Sequence, residues 1–175
     1  LVVAKAKRGA LELEVPEYYP RIKKGKTQSF FLLKRTRAHR IIEECMLLAN
    51  ICAAEIILKS KLPSIYRVHP KPEASKIKQL ENFLRSRGIN LKFNPQVQVK
   101  ELTKIYTKNI SSAEKEILNM QVLQSLNLAS YQNRRSEHFA LGYPSYTHFT
   151  SPIRRYPDLI VHRILRALIK SGKDK

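Results

Sequence analysis

The sequence predicts a mixed α+β module of ordinary domain size, with short strands set between longer amphipathic helices. Three observations predict it. A chain of 175 residues with 43% hydrophobic content carries enough apolar surface for its own core. A long apolar run after Thr36 repeats at helical spacing, whereas the Arg8–Val15 segment alternates at the period of a strand. Helix-start signals and strand-ending prolines then recur along the rest of the chain.

In order, Leu1–Ala4 reads as apolar strand, which suggests that something precedes it. In RGALELEV, Ala10, Leu11, Leu13 and Val15 set against Glu12 and Glu14 describe a half-buried strand. Pro16–Gln28 reads as a basic loop with Pro and Tyr, and Phe30–Leu33 as a short strand. Thr36 is the expected N-cap of a helix running through Lys59, with Ile41, Ile42, Cys45, Leu48, Ala49, Cys52 and Ile56 as its apolar positions. Ser64–His69 reads as a strand ended by Pro70-Lys71-Pro72. A helix from about Glu73 to Arg87 comes next, with Gly88 as its stop. Asn94-Pro95 opens a helical stretch to about Tyr106, and Ser111-Ser112-Ala113-Glu114 is a capping-box pattern leading a helix to about Leu128. Ala129–Gln132 and His138–Gly142 read as short β pieces, and Pro157–Ser171 as the last helix. Residues 60–110 form a helical excursion between two halves, and no internal repeat is present.

Charge narrows the function. Thirty-three Lys and Arg against fourteen Asp and Glu give +19 and a pI near 10.2. Such a surplus points to a polyanionic partner, nucleic acid being the commonest, with codon-driven lysine enrichment as the alternative. No apolar run approaches the roughly 20 residues of a membrane-crossing helix, and no signal peptide opens the chain. The expected location is the cytoplasm. Cys45 and Cys52 share one helical face, about 10 Å apart along the axis, too far to bridge. They are expected to be buried free thiols.

The densest segment is YTHFTSPIRRYPDLIVH, Tyr146 to His162. Ser151 and Pro152 make a helix opening as cap and first position, which would put Arg154 and Arg155 in a first turn already disposed to bind an anion. Guanidinium forks suit phosphate, and Tyr146, His148, Phe149 and Tyr156 offer faces on which bases can stack. Pro157 complicates this opening: at the sixth position of a helix begun at Pro152 it removes a backbone hydrogen bond, which is the case for SPIRRY as a turn of its own ahead of the helix. The alternative is a capped helix with solvated arginines. In RTRAHRIIEECMLLAN, Glu43 and Glu44 diverge by about 100° on a helix. One of them belongs at the edge of the apolar face, facing a ribose hydroxyl, a metal or an arginine such as Arg37 or Arg40. In IYRVH, Arg67 and His69 project to one face of a short strand. Phosphate contact and a packed strand end are both open there. Histidine spacing argues against zinc, and five unclustered glycines exclude a phosphate-cradling loop.

These blocks, RGALELEVPE, AHRIIEECMLLANICAA, LPSIYRVHPKP and HFALGYPSYTHFTSPIRRYPDLIVHR, stand in the order and spacing found in RNB-type catalytic domains. The chain resembles the ribonuclease R and ribonuclease II family of exoribonucleases over residues 8–170, more closely ribonuclease R. The resemblance implies an α+β fold in which short strands belong to a mixed barrel and several helices pack around it. It implies 3′→5′ degradation of single-stranded RNA to 5′-nucleoside monophosphates, with Mg²⁺ as cofactor. It assigns Arg154 to the scissile phosphate and Glu43 to the terminal nucleotide. Arg155, Tyr156, His69 and Arg67 are the expected channel-wall residues. The family's aspartate cluster has no counterpart in residues 1–175, whose only aspartates are Asp158 and Asp174, so no metal ligand is assigned. The expectation is the C-terminal portion of a catalytic domain, without its acidic N-terminal half, cold-shock domains and S1 domain. The missing half is then a candidate partner beside RNA, and the rival reading is a non-catalytic RNA-binding fragment.

Overall fold

A computed structural model of the chain describes residues 10–11, 17–33, 35–94, 101–102, 105 and 111–172. It is mixed helix and strand, as expected. The order is β1 (Tyr18–Lys23), β2 (Lys26–Leu32), α1 (Arg37–Ser60), β3 (Tyr66–Val68), α2 (Ala74–Ser86), α3 (Ser112–Ser125), β4 (Ser130–Gln132), a 3₁₀ turn (Phe139–Leu141) and α4 (Tyr156–Ser171). The strands form two separate antiparallel pairs, β1–β2 and β3–β4, so no barrel closes among the described residues. The expected strands at Leu1–Ala4 and Arg8–Val15 lie almost wholly outside the described residues, as does most of the expected Asn94–Tyr106 helix.

The stretch expected as a loop, Pro16–Gln28, is instead mostly a hairpin. Lys24 and Gly25 both take positive φ (50° and 72°), the backbone of the two-residue turn whose twist matches paired strands. Pro20 is tolerated opposite Phe30, because a two-stranded ladder leaves alternate backbone N–H groups pointing outward.

Helix α1 begins where Thr36 predicted. The Thr36 side chain accepts from His39 N, and the His39 ring accepts from Thr36 N, so histidine completes a capping box in place of Glu or Gln. The buried face differs from the expected one. Asn50, Ile51, Ala53, Ala54 and Ile57 are inside, whereas Ile41, Ile42, Leu48, Ile56 and both cysteines are exposed. Apolar residues surround much of this helix, so periodicity alone does not select a face. The alanines allow α4 to approach, and Ala53 and Ile57 pack with Val161.

A larger cluster joins α2 to α3: Ile77, Leu80, Leu84, Leu118 and Val122 pack with Leu102, Ile105 and Phe139. The helical excursion therefore has its own core, extending past residue 110. Gly88 stops α2 at φ 74°, and the Ser111–Glu114 capping box starts α3. His138–Gly142 is a 3₁₀ turn rather than a strand, tied to β3 by a bridge between His138 and His69.

Candidate nucleic-acid interface

The segment leading to α4 is held by side chains from elsewhere in the chain. Buried Asn50 donates to the Tyr146 hydroxyl (2.8 Å) and accepts from the backbone N–H groups of Phe149 (2.8 Å) and Thr150 (3.2 Å). Thr147 donates to the Ile65 carbonyl at 2.6 Å, and Arg67 N donates to the Tyr146 carbonyl at 2.8 Å. His162 bonds the Phe149 carbonyl (2.8 Å), and its ring stacks on Phe149 at 4.3 Å. Each such bond contributes roughly 1 kcal/mol, and losing one partner of a buried group costs more.

Residues Ser151–Arg155 then make a turn of their own ahead of the helix. Arg154 N and Arg155 N both donate to the Ser151 carbonyl (3.3 and 3.1 Å), and Pro157 falls at the second position of α4 rather than the sixth. Ser151 is accordingly not the helix cap; Arg155 occupies that position without a side-chain capping bond. Asp158, fully buried, locks the turn: its Oδ1 accepts from Ser151 N and from Arg155 Nη2, both at 2.8 Å. The two arginines consequently diverge. Arg155 folds inward onto the carboxylate, while Arg154 is exposed and pairs with no carboxylate among the described residues. Ile153 and Tyr156 are also exposed.

The two glutamates diverge as well. Glu44 is buried, and Glu43 stands half-exposed with Arg35 Nη2 at 3.7 Å from its Oε1. Glu43 borders an open cleft of about 570 Å³ whose walls include Arg155, His39, Asn50, Tyr146 and Thr150. It also borders a second, of about 540 Å³, with Arg35, His69, His138, Leu126 and Leu128. Glu43 and Arg155 thus meet at one cleft. Arg154 lies on the wall of neither.

Behind the turn runs a row of rings in edge contact. His69 meets His138 at 5.1 Å, His138 meets Tyr146 at 5.2 Å, and His148 meets both Tyr146 and Tyr131 at 5.6 Å. Burial, and then the neighbouring His69, pushes the His138 pKa down to about 4. Burial and then Arg155 push His148 down to about 4 as well. Burial also lowers His69, against the opposing hydrogen bond to the Asn127 backbone. These rings are therefore neutral at pH 7, and the positive charge of the interface comes from arginine. Both nitrogens of His69 already serve the fold, Nε2 with the Asn127 carbonyl (2.7 Å) and Nδ1 with Ala140 N (3.3 Å). Arg67 lies on the outer face of β3, its Cζ 4.6 Å from the Tyr131 ring centroid.

Among the described residues no three His, Cys, Asp or Glu side chains form a metal-holding group. Asp158 Oδ2 has no hydrogen-bond partner among them, but one fully buried oxygen does not make the multi-oxygen set a hard cation requires. Sequence reasoning missed Asn50, Arg35 and Tyr131. The only signal for Asn50 was a polar residue inside the apolar run LLANICAA.

A profile of the RNB domain matches residues 2–171. The chain belongs to the RNB domain family. It is 36% identical over 167 residues to a ribonuclease R of Vibrio parahaemolyticus, covering 95% of this chain and 20% of that protein. It is also 36% identical over 94% of its length to an Arabidopsis thaliana protein named inactive exonuclease DIS3L2, covering 17% of it. The structure of Mycoplasma genitalium RNase R in complex with ribose-methylated single-stranded RNA matches with a TM-score of 0.87 and 31% identity, over 94% of this chain and 26% of that one. The chain thus spans about a fifth to a quarter of the ribonuclease R relatives it matches. As an RNB segment it holds Glu43 and Arg154 on two elements, α1 and the Ser151 turn, and Asn50 of α1 bonds the stretch that leads into that turn. Among the described residues, no helix is long and apolar enough to cross a membrane.

Proposed function

We propose that this chain is the substrate-gripping portion of a cytoplasmic 3′→5′ exoribonuclease catalytic domain, acting on single-stranded RNA and releasing 5′-nucleoside monophosphates. The observation that carries this reading is the Ser151 turn. A buried Asp158 neutralises one arginine and fixes the backbone, leaving the adjacent Arg154 exposed for an anion. Arg154 would bind the scissile phosphate and offset the charge that builds on its oxygens during hydrolysis. Glu43, at the junction of two clefts, would accept from a hydroxyl of the terminal ribose.

Mg²⁺ would activate water and stabilise the leaving oxygen in such an enzyme. The described residues do not fit that ion, so no step is assigned to it on this chain. The match to a relative named as an inactive exonuclease, together with the lack of a carboxylate cluster among the described residues, favours a second reading: RNA binding without cleavage.

In an active enzyme containing this segment, Arg154→Ala is expected to lower turnover at least a hundredfold while changing RNA affinity severalfold at most, about the cost of removing one transition-state donor. Single-turnover kinetics beside a binding titration separates the two. Equal losses in both would make Arg154 a channel contact only. Glu43→Ala is expected to weaken discrimination between ribose and deoxyribose at the 3′ end.

A further inference from the structure

β3 and β4 form a short ladder with an inner and an outer face. Tyr66 and Val68 are buried, so Arg67 between them points outward. The strand register sets Arg67 directly opposite Tyr131. The pair therefore stacks because of backbone pairing, with the guanidinium carbon 4.6 Å from the ring centroid. The Tyr131 hydroxyl is bonded to Nδ1 of His148 at 2.7 Å, and the two rings meet edge to face. Yet Tyr131 remains 40% exposed and belongs to neither buried cluster. A half-exposed tyrosine held by Arg67 on its face and by His148 at its hydroxyl and edge has lost rotamer freedom that surface packing alone does not require.

His148 lies three residues before Ser151, and both Arg155 and Arg154 act on its ring electrostatically. The Tyr131–Arg67 surface is joined by the His148 bond, and by the bond from Arg67 N to the Tyr146 carbonyl, to the segment that leads directly into the turn presenting Arg154. Aromatic faces take bases of any identity, and an adjacent guanidinium plane adds to the stack.

We propose that Arg67 and Tyr131 form a stacking subsite for one nucleobase of a single-stranded RNA whose neighbouring phosphate is held by Arg154. This rests on the RNA-gripping reading above and adds Tyr131 as a binding residue. The His148 bond orients the ring, which makes His148 a positioning residue.

The test pairs protein variants with abasic RNA. Binding of the chain to a short 5′-labelled single-stranded RNA is followed by fluorescence anisotropy in chelator, with a single abasic site walked along the strand. Wild-type chain should lose about tenfold in affinity at one abasic position, the size of a single base–aromatic stack. Tyr131→Ala should lose a similar factor on intact RNA and become insensitive to that position. Tyr131→Phe should keep most of the position effect. Tyr131→Leu, which retains bulk on the ladder, should behave like Tyr131→Ala and so separates stacking from folding. Penalties for Tyr131→Ala and the abasic site that simply multiply, or an unchanged affinity in Tyr131→Ala, would overturn the subsite. Arg154→Ala should weaken intact and abasic RNA equally and reduce the salt dependence. Binding indifferent to both Arg154 and salt would sink the RNA-gripping reading itself, and the subsite with it. Salt-sensitive binding with a flat abasic scan would sink the subsite alone.

Discussion

The hairpin of residues 18–32 and the segment 138–162 have similar ingredients and opposite structures. Both combine aromatic rings with Lys or Arg. In the hairpin every residue is exposed, and Tyr19 and Phe31 are 6.3 Å apart and merely tilted. In 138–162, Asn50, Thr147, Asp158 and His162 each bond the backbone or a ring, and the rings stand in a connected row. The difference teaches that composition nominates an interface while buried polar contacts give it shape. An arginine is useful to a phosphate only if something else fixes where it points.

The largest effect is expected from Asp158→Ala. It leaves Arg155 partly buried without its carboxylate and releases Ser151 N, a loss of about 3 kcal/mol, or roughly 6–12 °C in thermal midpoint. Calorimetry checks it; a change under 1 kcal/mol would mean the turn is held by other contacts. Asn50→Ala removes three bonds at once and is expected to cost about 3 kcal/mol, close to the Asp158→Ala loss. It should also weaken RNA binding, because α1 and the turn lose their tie. Unaltered RNA affinity in a destabilised Asn50→Ala chain would show that the tie serves stability only.

Acid should act on the same region. His138 and His148 have folded-state pKa values near 4, below the ordinary 6.5, so between these values the unfolded chain binds more protons. Their contribution is fully present above pH 6.5 and is lost as pH falls toward 4. Denaturant midpoints should decline across that window, and less steeply in His138→Gln. The smallest effect is expected in the hairpin, where Phe30→Ser should shift stability by no more than about 0.5 kcal/mol. A drop of 2 kcal/mol there would break the contrast between the two regions.

Local chemistry was legible in the sequence. Thr36, Ser111 and Gly88 each mark helix ends through bonds or dihedrals set within a few residues, and the structure places them there. Pro157 likewise marked a turn ahead of α4; that turn holds Ser151–Arg155, with Tyr156 already in the helix. What depended on distant partners was not legible. The buried face of α1 is chosen by α4, and the expected apolar stripe with Cys45 and Cys52 is the exposed one. Asn50 finds Tyr146 96 residues away, which no periodicity encodes. The hairpin was hidden by Pro20 and by a turn that put Lys24, rather than Asn or Asp, at positive φ. At the site, the motif residues Glu43 and Arg154 were nominated together, but the cleft beside Glu43 is shared with Arg155.

The most direct test of the central claim is a gel assay of the 175-residue chain on 5′-labelled single-stranded RNA, with and without Mg²⁺, beside a binding titration across salt concentrations. The account predicts salt-sensitive binding, weakened only severalfold by Arg154→Ala, and no shortening of the RNA. A Mg²⁺-dependent ladder shortening from the 3′ end would contradict it, because it would require metal ligands that the described residues do not supply.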